Sequence, residues 1–237
     1  MDARLLADLR AEQAVLLTAL DGIGEGWDRL TPAAGWTVRD TLAHLLVAER
    51  AATLSVSHGI DPLESGIRAS RTQQPGEALL AEWGAAAGEA ADAMAHRGDS
   101  DRVPWGGRAM SVRSLATARL MECWAHGLDC LAALDRPVMA SSRLRHVAWL
   151  GYRTLPYAFG VAGVVPPADP ATLRMELEGP GGERWTFGPP GSAERIIGPA
   201  LDWCRVATHR LRPGDPMSLS AQGELAVLAL RHARAFL

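Results

Sequence analysis

In the run Glu122-Cys123-Trp124-Ala125-His126 a carboxylate and an imidazole stand four residues apart. On a helix that spacing puts both side chains on one face, one turn apart, so both reach a single point in space. Nitrogen and oxygen donors converging on one point are how a borderline cation such as Zn²⁺ is gripped. Two donors from one helix do not suffice, and a third has to come from a facing helix. His44 offers it, set among Leu42, Leu45, Leu46 and Val47, so that its ring points inward or to the rim of a core. Two histidines and one glutamate leave at least one coordination position open, the arrangement of a catalytic rather than a structural site. The same residues admit a plainer reading. A histidine on an apolar helix is often a core residue with its hydrogen bonds satisfied, and a Glu/His pair four apart is often a surface pair of about 0.2–0.5 kcal/mol.

Neighbouring residues extend the candidate site. Asp129, one turn beyond His126, can accept from an imidazole N–H, or can simply cap or salt-bridge. Arg119, one turn before Glu122, can hold a substrate carboxylate bidentately, or can solvate the helix surface. Asp40, one turn before His44, can orient that imidazole, or can serve the positive end of the helix dipole. Trp36, Trp105 and Trp124 can line a pocket, although large aromatic residues more often fill cores. Cys123 and Cys130 are seven apart, not two as in a thiolate metal clip, and read as small buried hydrophobes.

The elements that must position these residues are helices. Leu5, Leu6, Leu9, Val15, Leu16, Leu17 and Leu20 recur at helical spacing up to Gly22. Thr37 caps a second helix, with Asp40 three residues on in a capping-box position, and Gly59, Asp61 and Pro62 end it. A polar loop leads to Pro75, and an Ala-rich third helix spans 76–97. The segment DRVPWGGRAM reads as a turn between helices. Ser111 caps a fourth helix that ends near Asp135 to Pro137. Four helices with moderate loops predict a four-helix bundle. A fifth helix, about 141–158, bridges onward, and PPADP (166–170) looks like a linker. Beyond it LRMELEG and ERWTFG alternate apolar and polar residues around a GPGG turn, which predicts a hairpin. Residues 192–211 read as a helix with an apolar face of Ile196, Ile197, Leu201, Trp203 and Val206. A short strand in MSLSAQG and a last helix, 223–236, close the chain. The expectation is an α+β protein with a helical domain over 1–165 and a small α+β domain over 166–237, the latter near the lower size limit for independence.

Composition narrows the chemistry. The chain has 237 residues, 48% of them apolar, enough for a substantial core. Net charge is −3, which gives no reason to expect nucleic acid or an anionic membrane surface as partner. All 24 basic residues are arginine. With no lysine, imine-forming, PLP and phosphate-loop lysine chemistries are excluded. Three sparse cysteines argue against a disulfide framework and fit a cytoplasmic protein in a reducing compartment. No secretory leader and no membrane span are expected. Composition leaves open a monomer or a dimer.

The segments GWTVRDTLAHLLVAER (35–50) and RLMECWAHGLD (119–129) together resemble the DinB / mycothiol-dependent maleylpyruvate isomerase-like superfamily. HVAWLGYRTLPYAF, LEGPGGERWTFG and IIGPALDWCRVATHR are similar to the C-terminal region of its actinobacterial members. The resemblance covers nearly the whole chain, and its specificity lies in the order and spacing of motifs that are individually short. It implies a DinB-like four-helix bundle with a sterol-carrier-like α+β domain behind it. It also implies a divalent metal on His44, Glu122 and His126, zinc first, with nickel, iron or manganese as alternatives. Trp36 and Asp129 match family positions too. The activity implied uses mycothiol, a low-molecular-weight thiol. Coordinated to zinc, a thiol loses its proton and becomes a nucleophile toward an electrophilic carbon of a small-molecule substrate. In an isomerase, bond rotation and expulsion of the thiol follow; in an S-transferase the adduct is the product. Two rival readings remain at this stage. One is thiol-independent Lewis-acid catalysis, by a hydrolase or a natural-product cyclase; the other is a non-catalytic carrier of an apolar ligand.

Overall fold

The computed structural model describes residues 1–62, 73–138, 140–212 and 214–236. The expected polar loop before Pro75 falls mostly outside them. The chain divides into two compact units, Met1–Val138 and Met139–Leu237.

The first unit is the expected bundle. Helix α1 (Ala3–Leu20) starts at Asp2, whose side chain accepts from the amides of Arg4 and Leu5. A 3₁₀ turn at Gly24–Asp28 leads to α2 (Val38–His58). Thr37 and Asp40 form a reciprocal capping box there. The Thr37 hydroxyl accepts from the Asp40 amide at 3.1 Å and the Asp40 carboxylate accepts from the Thr37 amide at 3.0 Å. Helix α3 (Gly76–Ala95) begins against Trp27, where a Cβ on Gly76 would lie 2.1 Å from the indole ring. Helix α4 (Val112–Ala133) starts at Ser111, as expected, and carries the Glu122/His126 pair. Helix α2 packs on α3 and α4, and α1 packs on α3 and α4. Leu16, Leu20, Trp27, Leu42, Leu45, Leu79, Trp83, Cys123 and Cys130 share the core between them. Burial pushes the Cys123 and Cys130 thiols up, as befits the small hydrophobes they were read to be.

The expected turn over DRVPWGGRAM is a β-hairpin. Strands β1 (Arg102–Trp105) and β2 (Arg108–Ser111) pair antiparallel, and Gly106 and Gly107 make the two-residue connection, both at positive φ. That geometry is the twist-matched hairpin turn that needs glycine. The hairpin is tied to the end of α2: Ser55 donates to the Pro104 carbonyl, and Asp61 accepts from the Gly107 amide.

The second unit opens on helices α5 (Leu144–Arg153) and α6 (Leu155–Ala162). The single helix expected over about 141–158 is therefore two, broken around Thr154 before Pro156, whose ring cannot sit inside a continuing helix. A four-stranded mixed sheet follows, in the order β4-β3-β5-β6. Strands β3 (Arg174–Glu178) and β4 (Arg184–Phe187) form the expected hairpin. Strand β5 (Arg195–Pro199) runs parallel to β3. This corrects the helix read over 192–211. Ile196 and Ile197 are β-branched, and Gly198 and Pro199 stop a helix from reaching back to them. The helix, α7, is confined to Ala200–Ala207 and packs on α5, with the Trp203 indole donating to the Ala148 carbonyl at 3.0 Å. Strand β6 (Ser220–Gln222) and helix α8 (Glu224–His232) complete the unit. Helix α5 thus belongs with α7 and the sheet, and the expected boundary after residue 165 falls inside the second unit.

Candidate metal centre

The two bundle helices that were expected to supply donors do face each other. The capping box fixes where α2 begins and so sets the rotation at which His44, four residues after Asp40, emerges. From α4, Glu122 and His126 emerge one turn apart. One donor atom from each of His44, Glu122 and His126 lies within 4.8 Å of the other two. His126 Nε2 is 3.2 Å from Glu122 Oε2, and His44 Nε2 is 3.8 Å from the same oxygen. Donors around a tetrahedral zinc ion stand roughly 3.3 Å apart, given bonds of about 2.0–2.1 Å. The three side chains therefore fit a small divalent cation in spacing as well as in chemistry. All three are partly exposed, so a small molecule can approach them.

The immediate surroundings support the donors. His126 turns its other nitrogen, Nδ1, toward Asp129, 3.3 Å from Oδ2, and the Asp129 side chain is only 4% exposed. A carboxylate in that place favours a proton on Nδ1 and leaves the Nε2 lone pair facing Glu122 and His44. Trp36 stacks nearly parallel on His126, with ring centroids 6.0 Å apart, and sits tilted against His44 at 5.1 Å. The two imidazoles meet edge to face at 4.9 Å. Burial alone would push the Glu122 carboxyl up. The His126 and His44 imidazoles and the charge of Arg119 outweigh it and hold that carboxyl well below the usual carboxylate range. To bind a cation there, Glu122 must be ionised and the ring nitrogens that face it must be without a proton.

Other expected residues are placed differently. Arg119 is not on the helix surface. It is 2% exposed, and its Nε and Nη2 donate to Glu49 Oε1 at 3.3 and 3.2 Å. Asp40 is engaged by Thr37 in the helix cap rather than against His44. Of the three tryptophans, Trp36 makes the ring contacts, Trp124 is buried in the core, and Trp105 lies on the hairpin. Glu49 is the residue that the sequence reading missed. Its signal was there: it falls in the buried stripe Leu42, Leu45, Glu49, Ala52, Val56, where a charge requires a buried partner.

Comparison with known proteins bears on the family and the fold. Residues 4–130 match the family model for the mycothiol maleylpyruvate isomerase N-terminal domain. Uncharacterized proteins from two strains of Mycobacterium tuberculosis are 37% identical over 246 residues, covering 98% of this chain and 94% of theirs. Among solved structures, the crystal structure of the mycothiol-dependent maleylpyruvate isomerase superposes with a TM-score of 0.56 at 18% identity over 92% of each chain. A mutant of that enzyme superposes with a TM-score of 0.57 at 17% identity, over 92% of this chain and 90% of that one. These two share the fold, both the helical part and the smaller α+β part. The family match over more than half the chain, and the relatives aligned along nearly all of it, establish that the chain belongs to the mycothiol maleylpyruvate isomerase family.

Proposed function

We propose that the chain is a divalent-metal enzyme that uses mycothiol and acts, as an isomerase or S-transferase, on a small electrophilic substrate. The observation that carries this reading is the convergence of His44, Glu122 and His126, from two helices, in a chain of this family. A divalent cation bound there, zinc first and nickel, iron or manganese as alternatives, would deprotonate a thiol at neutral pH and present it as a nucleophile. His44 and His126 supply neutral nitrogen, and Glu122 supplies the single negative charge that balances half of the cation's. Asp129 keeps His126 in one tautomer and one orientation. Trp36 forms an apolar wall beside the donors, a better neighbour for sulfur and a substrate carbon than for water. Arg119 is too deeply buried to take a substrate carboxylate. Three buried, unpaired cysteines and a thiol cosubstrate suit the reducing cytoplasm. Among the described residues no helix is long and apolar enough to cross a membrane.

The test is elemental analysis of the purified wild type and of His126→Ala, followed by thermal shift with and without mycothiol. The expected result is about one divalent metal per chain, lost in the variant, with the wild type stabilised by the thiol. Metal without any response to mycothiol would favour thiol-independent Lewis-acid chemistry, by a hydrolase or a cyclase. A wild type that takes up no metal, even on reconstitution, would overturn the reading and leave a non-catalytic ligand-binding protein.

A further inference from the structure

Beneath the three donors lies a charged pair that the proposed chemistry does not use. The Glu49 side chain, on α2, is fully buried, and that of Arg119, on α4, is 3% exposed. Both donors that Arg119 directs at Glu49, Nε and Nη2, fall on one oxygen, Oε1. Arg119 is also one turn before Glu122 on the same helix, the spacing at which a guanidinium and a carboxylate pair readily. Glu122 instead directs Oε2 at His126 and His44.

We propose that Glu49 is a positioning residue for the metal centre: it holds the Arg119 guanidinium on α2 and so keeps the Glu122 carboxylate free for the two histidines and a cation. The inference rests on the metal reading of that site. Its physical basis is the cost of a buried unpaired charge. A guanidinium at this depth does not stay without a partner, because desolvation without pairing is too costly. Arginine does not escape by losing its proton. With Glu49 neutralised, a carboxylate within reach on the guanidinium's own helix is that of Glu122. Taking it would engage the carboxylate that faces the histidines and would set a full positive charge against an incoming cation. The pair therefore acts as a selector: one carboxylate is assigned to the arginine, the other to the metal.

The prediction separates this role from mere structural support, because two single substitutions that both loosen the fold should move metal affinity in different directions. Zinc affinity is measured by competition with a chromophoric chelator on folded, purified protein. Glu49→Gln should bind zinc at least about 10-fold more weakly than wild type, in the range found when a supporting partner of a ligand is removed. Arg119→Met removes the competitor and should bind zinc at least as tightly as wild type, although it is less stable. The double variant Glu49→Gln/Arg119→Met should regain wild-type affinity to within about 3-fold, a non-additive result that marks direct coupling. If Glu49→Gln does not fold, the Arg119→Met single variant and the double variant carry the test. Wild-type affinity in Glu49→Gln, or zinc binding lost in Arg119→Met, overturns the selector while leaving the metal centre in place. A wild type that binds no zinc overturns both.

Discussion

Asp129 is a residue with one small task and a measurable consequence. Its carboxylate is nearly buried and stands 3.3 Å from His126 Nδ1, on the side of the ring away from Glu122. A ring so anchored loses little orientational freedom on taking up a cation, and its coordinating nitrogen is made more basic. Asp129→Ala is therefore expected to weaken divalent-metal affinity by about 10- to 100-fold while leaving the helix content unchanged, as read by chelator competition and circular dichroism. At this scale the donors were legible in the sequence because a helix converts a spacing of four into proximity. Glu122, His126 and Asp129 stand on one face of α4, where that rule puts them, whereas His44 reaches them from α2. For Arg119 and Asp40 the sequence left two readings open, for a common reason. Spacing along one helix says which residues share a face and says nothing of what the next helix offers them. Arg119 finds Glu49, 70 residues away in sequence. Asp40 is taken by the cap three residues before it.

At the level of elements, helix starts were the most legible feature, since capping is chemistry between residues two to four apart. Thr37 and Ser111 cap as read, and Asp2 caps α1. The Asp2 cap carries a charge, so it answers to pH. Its carboxyl lies below the ordinary value of 3.8, chiefly because it accepts from the Leu5 amide, with a further contribution from Arg113. A carboxyl with a depressed folded-state pKa stabilises the fold at pH above the unfolded value and loses that contribution as pH falls below it. The difference in thermal midpoint between wild type and Asp2→Ala should accordingly be full above pH 3.8 and shrink as the solution is acidified further. A gap that stays constant through that range would show that the ionised cap is not what α1 uses. Strands were less legible. The β1–β2 hairpin is only four residues a side, and Arg195–Pro199 reads as apolar under either period. Pairing with β3 decides the second case, and a strand's partner is invisible in its own residues.

For the whole molecule, the division into two units has a consequence for how a metal should act. Every proposed donor lies in Met1–Val138. A ligand that binds only the folded form stabilises what must unfold to release it, by about 2.7 kcal/mol at 100 times its dissociation constant. Hydrogen exchange of the wild type with and without zinc should therefore show slower exchange in α2 and α4, with little change in the β3–β6 sheet. Equal protection in both units would mean that they unfold as one cooperative body. The position of the boundary was itself hard to read. The PPADP segment has the composition of a linker, yet helices α5 and α6, which precede it, fall within the second unit.

By itself, the sequence determined what depends on neighbours along the chain: the four bundle helices, the caps of the second and fourth, a face of α4 bearing Glu122 and His126, the β3–β4 hairpin, and the exclusion of lysine-based chemistry. Only the tertiary structure decided what depends on residues far apart in sequence. It brought His44 to within 3.8 Å of Glu122, laid Trp36 over His126, paired Glu49 with Arg119, and placed β5 beside β3. The physical reason is common to all four. Local propensity and periodicity act over a few residues, whereas burial makes a side chain or a strand answer to whichever distant group the packing brings against it.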